Sequence, residues 1–168
     1  EWEHLPKEIE WHFIGHLQRN KVKYLASSVG LIHGVESFRL LKEINKQAKK
    51  NDRTIDVLLQ FFIANEETKF GLSFEEAKTM LQSDEFKSLD NVCIRGVMGM
   101  ATFTDEKEQI KREFSGLKKI HQELSTDFFN EQTNFDVISM GMSGDYKIAI
   151  EEGSTMIRLG SSIFGKRD

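Results

Sequence analysis

The chain has 168 residues, 39% hydrophobic and 30% charged, which is enough apolar material for one packed core. Its 23 basic and 27 acidic residues leave a net charge of −4, and the basic ones are scattered along helical stretches rather than gathered into a stripe, so nucleic-acid binding has no electrostatic support. The longest apolar run, residues 57–64, is too short to cross a bilayer and is broken by Gln60, and no basic-then-apolar leader opens the chain; the expectation is one cytoplasmic domain over residues 1–168 with no membrane partner.

In chain order, a first strand is expected over 11–14, followed by a polar loop and helix entry from Gly15 to Lys21. A second strand over 30–35 leads to a helix over 38–50, whose Leu41, Ile44 and Ala48 share one face. A third strand is expected over 55–63, and Ser73-Phe-Glu-Glu76 is a capping box that opens another helix. The fourth strand, 92–101, carries the lone Cys93 between Val92 and Ile94, where it reads as a small buried apolar residue rather than a nucleophile. The longest helix, 105–125, places Ile110, Phe114, Leu117, Ile120 and Leu124 at three- and four-residue spacing, with a charged solvated face opposite. A strand over 137–140, a helix over 145–152 closed by Gly153, and a strand over 155–159 complete the series. Alternating strand and helix patterns define an α/β fold with a parallel sheet. Six such units suit either an open doubly wound sheet or six-eighths of a (β/α)8 barrel without its first two units.

Two turns stand out. Ser139 and Ser143 flank the end of the 137–140 strand, and Ser143 or Asp145 is placed to cap the next helix; Gly160, Ser161 and Ser162 follow the last strand. A plain cap and a plain turn would account for each alone. Two small-residue turns after adjacent parallel strands favour an anion site, because main-chain N–H groups and hydroxyls converge there. Arg158 lies in an otherwise apolar strand, so its permanent charge must pair with a buried carboxylate or face a ligand; the ligand is favoured. His12 and His16 straddle a strand end without a metal-protease pattern, so no metal is expected. Met98, Met100, Met140 and Met142 near strand ends read first as core filler. No P-loop, GxGxxG or Ser-His-Asp order occurs.

Residues 11–21 (WHFIGHLQRNK), 68–71 (TKFG), 95–101 (RGVMGMA), 139–143 (SMGMS) and the tail 153–165 together resemble the YggS/PROSC family of pyridoxal phosphate homeostasis proteins, end to end. The resemblance implies a TIM (β/α)8 barrel of the alanine-racemase type, here lacking roughly its first two βα units, in one domain that binds pyridoxal 5'-phosphate. It implies cofactor contacts at Ser139, Met142, Ser143, Arg158, Gly160, Ser161 and His12, with the phosphate, or a phosphate or sulfate ion in its place, in the two turns and Arg158 facing the pyridine nitrogen. An arginine there leaves that nitrogen unprotonated and weakens the ring as an electron sink, which suits a carrier better than a fast enzyme. The family's Schiff-base lysine lies on a first strand in a Val-Ser-Lys type segment that this chain does not contain, so no catalytic residue is assigned.

A non-catalytic role in intracellular vitamin B6 homeostasis is therefore expected. An amino-acid racemase using the same cofactor would need a second acid/base, and neither Tyr24 nor Tyr146 is well placed for it. A phosphate-binding barrel isomerase without the cofactor would have only His12 and His16 as candidate bases. Two missing strands would leave sheet edges exposed, so self-association is a further expectation.

Overall fold

Strand-forming runs rich in Val, Ile and Leu alternate with amphipathic segments, and each predicted strand is present. β1 (Trp11–Phe13), β2 (Val29–Val35), β3 (Ile55–Gln60), β4 (Val92–Met98), β5 (Val137–Met142) and β6 (Met156–Arg158) form one parallel sheet in the order β1-β2-β3-β4-β5-β6. The computed structural model describes residues 6, 8–64 and 70–165; Thr68 and Lys69 of the TKFG segment, and the opening residues 1–5, lie outside the described residues. Strand order never reverses, so the doubly wound alternative, which needs a switch point, does not apply.

A 3-10 turn at Arg19–Lys21 leads into α1 (Val22–Leu25), and α2 (Phe38–Lys50) has the predicted bounds, with Ser37 accepting from the Leu40 N–H as its N-cap. The capping box forms as expected: Ser73 Oγ accepts from the Glu76 N–H, and Glu76 accepts in return from the Ser73 N–H at 2.7 Å, opening α3 (Phe74–Gln82). A short α4 (Asp84–Lys87) follows, then α5 (Lys107–Asp127), α6 (Tyr146–Glu151) and α7 (Ser161–Phe164). Gly153 closes α6 at φ +97°, a conformation that glycine adopts without a Cβ penalty.

Helix-facing residues build a single large core. Leu40, Leu41, Ile44 and Ala48 of α2 and Phe114, Leu117 and Leu124 of α5 pack with Ile32, Val57, Leu59, Ile94, Val97 and Ile138 of the sheet. Each fully buried Leu or Ile contributes roughly 1.5–3 kcal/mol, so this layer is the main source of stability. Leu31, Leu58 and Met98, with Val137 and Met156 against them, form a separate small cluster on the other face of the sheet. That second face also carries the polar chain described below.

The predicted β1, β3, β4 and β6 run past the observed ones at their C-terminal ends, β2 ends at Val35 as expected, and β5 continues to Met142, two residues beyond its predicted end. Ile63, Met100 and Ala101 continue the apolar pattern but leave the sheet and line a cavity at that end, while Phe61, just past β3, is a buried core residue that keeps a parallel bridge to Leu72. Cys93 is half-buried rather than buried, with the Asn134 side-chain amide 3.4 Å from its sulfur. At Gly96 the chain takes φ +151°, and a Cβ there would collide with the Val137 carbonyl oxygen. Beside it the β3–β4 register shifts between Val57 and Leu58, and Arg95 reaches Asp56 at 2.7 Å and Asp136 at 3.6 Å.

Candidate functional site

Parallel strands bring their C-terminal ends to one edge of the sheet, and the two small-residue turns meet there. Ser143 Oγ accepts from the Gly160 N–H and from the Ser162 N–H, each at 3.3 Å. Two main-chain donors of one turn thus converge on a single oxygen offered by the other, the arrangement in which an oxyanion's oxygen is held. Nothing lies within 4 Å of where a Cβ of Gly160 or Gly144 would be, so the turn is open to a group larger than the hydroxyl. Ser161, exposed, begins α7 beside them.

The capping role considered for Ser143 and Asp145 is not realised. Asp145 is the N-cap of α6 but makes no side-chain cap; its carboxylate accepts from the Met142 N–H at 2.6 Å, tightening the turn, and Ser143 is turned toward Gly160. The carboxylate also raises the proton affinity of Arg158.

Below the turns, Arg158 is 9% exposed and Ser139 fully buried. Arg158 Nη1 donates to Ser139 Oγ at 2.7 Å and Nη2 donates to the Gly99 carbonyl at 3.0 Å. Among the described residues no carboxylate forms an ion pair with it, so of the two readings of this arginine the buried pair across the sheet is absent. Burial lowers its pKa to about 10, against a smaller upward push from Asp145, and it stays a cation at neutral pH. Ser139 Oγ is in turn 3.0 Å from His33 Nδ1, and His33 Nε2 is 3.2 Å from His12 Nδ1. His12 Nε2 lies 3.5 Å from Glu10. His12 therefore meets Arg158 only through His33 and Ser139.

At the same edge, His16 Nδ1 is 2.8 Å from Glu36, so its Nε2 remains for another partner. The pair borders a cavity of about 110 Å3 with Gly15, Gln60, Phe70 and Met100. Gln60, Phe70 and Met100 also line a neighbouring cavity of about 180 Å3 that reaches Met142. Met100 and Met142 are therefore surface-lining, whereas Met98 and Met140 are core as expected. Among the described residues no group of three or more His, Cys, Asp or Glu is arranged to hold a metal, and no helix is long and apolar enough to cross a membrane.

Sequence reasoning passed over His33, Glu36 and Gln60. The signal was available for two of them: His33 and Gln60 interrupt apolar strands just as Arg158 does, and both are nearly fully buried. Glu36 carries no local signal, because its meaning depends on β1 lying beside β2.

The family model described as "Alanine racemase, N-terminal domain" matches residues 3–168. The pyridoxal phosphate homeostasis protein of Aquifex aeolicus (strain VF5) is 39% identical over 160 residues, covering 95% of this chain and 68% of the relative. The protein of the same name from Vibrio alginolyticus is 35% identical over 167 residues, covering 99% and 69%. The chain belongs to the pyridoxal phosphate homeostasis protein family. The solved structure of PipY of Synechococcus elongatus PCC7942 with PLP bound superposes with a TM-score of 0.83 at 28% identity, covering 97% of this chain and 73% of that one. The match to the alanine racemase N-terminal domain model takes in every element from β1 to α7, so both turns and the buried chain from His12 to Arg158 lie inside the matched region.

Proposed function

We propose that the chain binds pyridoxal 5'-phosphate and serves intracellular vitamin B6 homeostasis as a carrier rather than a catalyst. The carrying observation is the buried Arg158, which forms no ion pair among the described residues, near two main-chain donors that converge at the Ser143 turn. A cation without a carboxylate partner in a buried site is costly unless a ligand completes it, and the turn above it is open on the side where a phosphoester would sit. The names of the Aquifex and Vibrio relatives and the PLP-bound PipY neighbour support the same ligand.

The residues fit the group in kind. The Gly160 and Ser162 N–H groups, with the Ser143 and Ser161 hydroxyls, would hold the phosphate; Arg158, steadied by Ser139 and Gly99, would donate to the ring nitrogen; Met142 would border the ring edge; His12 would act at a distance, through His33. When bound, the cofactor supplies an aldehyde and an electron-poor ring. Arg158 is a donor only, so it would leave the ring nitrogen unprotonated, which argues for storage over rapid carbanion chemistry. The unbroken strand order, with β1 and β6 at opposite edges, and relatives longer than the matched region support the finer reading of six βα units of an eight-unit alanine-racemase-type barrel in one domain. Those unpaired edges also support self-association of this chain.

One observation bears on the racemase alternative. Neither tyrosine lines the two cavities at the strand ends: Tyr24, 64% exposed on α1, lines a separate one with Phe13 and His16, and Tyr146 starts α6, whereas His16, oriented by Glu36, borders the cavity with Gln60 and Met100. Solvent-deuterium exchange at the α-carbon of a bound amino acid, abolished in a His16→Gln variant, would favour that enzyme.

Equilibrium dialysis against pyridoxal phosphate, pyridoxal and inorganic phosphate tests the carrier reading. Pyridoxal phosphate should bind, inorganic phosphate should displace it, and pyridoxal should bind far more weakly. Equal affinity for pyridoxal, or no competition by phosphate, would overturn the phosphate site.

A further inference from the structure

Ser139 is fully buried, and its hydroxyl has two side-chain neighbours within hydrogen-bond distance, Arg158 Nη1 at 2.7 Å and His33 Nδ1 at 3.0 Å. Arg158 can only donate. If His33 also donated, the serine proton would be left buried without an acceptor, a loss that folded proteins rarely tolerate. The satisfied arrangement runs one way: Arg158 donates to Ser139, Ser139 donates to His33 Nδ1, and His33 Nε2–H donates to His12 Nδ1 at 3.2 Å. His12 then carries its proton on Nε2, on the side of Glu10.

We propose that His33 is a positioning residue: as a neutral imidazole it accepts the Ser139 proton, fixes the serine oxygen toward Arg158, and so aims the guanidinium as a donor at a ligand with an unprotonated ring nitrogen. The ligand class rests on the function proposed above; the direction of the chain does not. Burial first, then His12 and Arg158, holds the His33 pKa down to about 4, in keeping with a neutral ring. The groups around His33 are His12 with Glu10 behind it on the β1 side and Ser139 and Arg158 on the β5 and β6 side; the buried residues from β3 and β4 on this face, Leu58, Gln60 and Met98, are uncharged. Protonating His33 would turn Nδ1 into a donor, push the serine proton aside and set a second cation near Arg158.

The test uses the whole chain. With 15N-histidine labelling, long-range 1H–15N spectra at pH 7 should show His33 and His12 neutral, each with the proton on Nε2, and His33 should stay neutral to pH 5. An imidazolium at His33 at pH 7, or its proton on Nδ1, would overturn the inference with no ligand involved. In a second arm, His33→Leu should weaken pyridoxal phosphate binding by about tenfold while leaving inorganic phosphate binding unchanged. His33→Asn, whose amide oxygen can stand where Nδ1 was, should recover most of the affinity. Equal losses toward both ligands, or no recovery in His33→Asn, would make His33 merely structural. If the wild type binds phosphate but not pyridoxal phosphate, the proposed function fails, and the tautomers alone decide the positioning claim.

Discussion

Two arginines on neighbouring regions of the sheet meet opposite fates. Arg95, on β4, is clasped by Asp56 at 2.7 Å and Asp136 at 3.6 Å and donates to the Asn134 carbonyl; its proton is held more tightly than usual, chiefly by the hydrogen bond to Asp56. Arg158, on β6, is buried against a serine and a carbonyl, and its proton is held less tightly because of that burial. The first arginine has its charge answered by two carboxylates and two hydrogen bonds, at a half-exposed position. The second is a cation with no ion-pair partner among the described residues, favoured only by the more distant Asp145 carboxylate. A guanidinium built only for stability would resemble Arg95; one kept for a ligand would resemble Arg158.

Exchanging each arginine for methionine should separate binding from stability. Arg158→Met is expected to lower pyridoxal phosphate affinity by about 100-fold and to leave the urea midpoint unchanged or raised, since a buried charge gives way to a side chain of similar volume. Arg95→Met should leave binding alone and cost about 1–2 kcal/mol, limited because solvent reaches both carboxylates. A large stability loss in Arg158→Met with intact binding would reverse the assignment of the two roles.

The chain of groups behind Arg158 gives the next effect. Unfolded, His33 titrates near 6.5; folded, near about 4. Between those values the unfolded chain takes up the extra proton, so stability falls as pH drops from 6.5 toward 4 and gains nothing from this residue above 6.5. The whole window is worth about 3 kcal/mol. Urea unfolding at a series of pH values should show this slope in the wild type and a flatter one in His33→Asn. Parallel slopes in the two would mean that His33 is solvated or already charged when folded.

What could be read from the residues follows the same division. The helix-covered layer was legible, because its signals are local: α2 has its predicted bounds, the Ser73 box forms, and Gly153 ends α6. Strand ends were overrun because apolar character continues from the sheet into the cavity walls at Phe61 and Ala101, and periodicity does not distinguish the two uses. Arg158, Ser143 and Gly160 were singled out from composition against context. Ser139 was named with them, but His33 and Gly99 were not, since Ser139 meets His33 across 106 positions of chain and Arg158 meets Gly99 across 59. Such contacts depend on strand order, which becomes visible only when β1 to β6 are seen to lie in sequence.

The smallest expected effect concerns which atoms of the turn hold the anion. Ser143 Oγ receives two main-chain N–H groups at 3.3 Å, long contacts at an exposed position, so the hydroxyl contributes little to the fold itself. Ser143→Ala would remove one potential donor to a phosphate but would leave the Gly160 and Ser162 N–H groups free to meet it. Stability should move by less than about 0.5 kcal/mol, and pyridoxal phosphate affinity should fall only about two- to fivefold, as measured by dialysis beside the wild type. Substituting Gly160 acts differently: no neighbour lies within 4 Å of its Cβ direction, so the Gly160→Val side chain meets no other residue there and crowds the space the ligand needs. A larger loss in Gly160→Val than in Ser143→Ala would therefore assign the grip on the anion to the main chain; the opposite order would assign it to the serine hydroxyl.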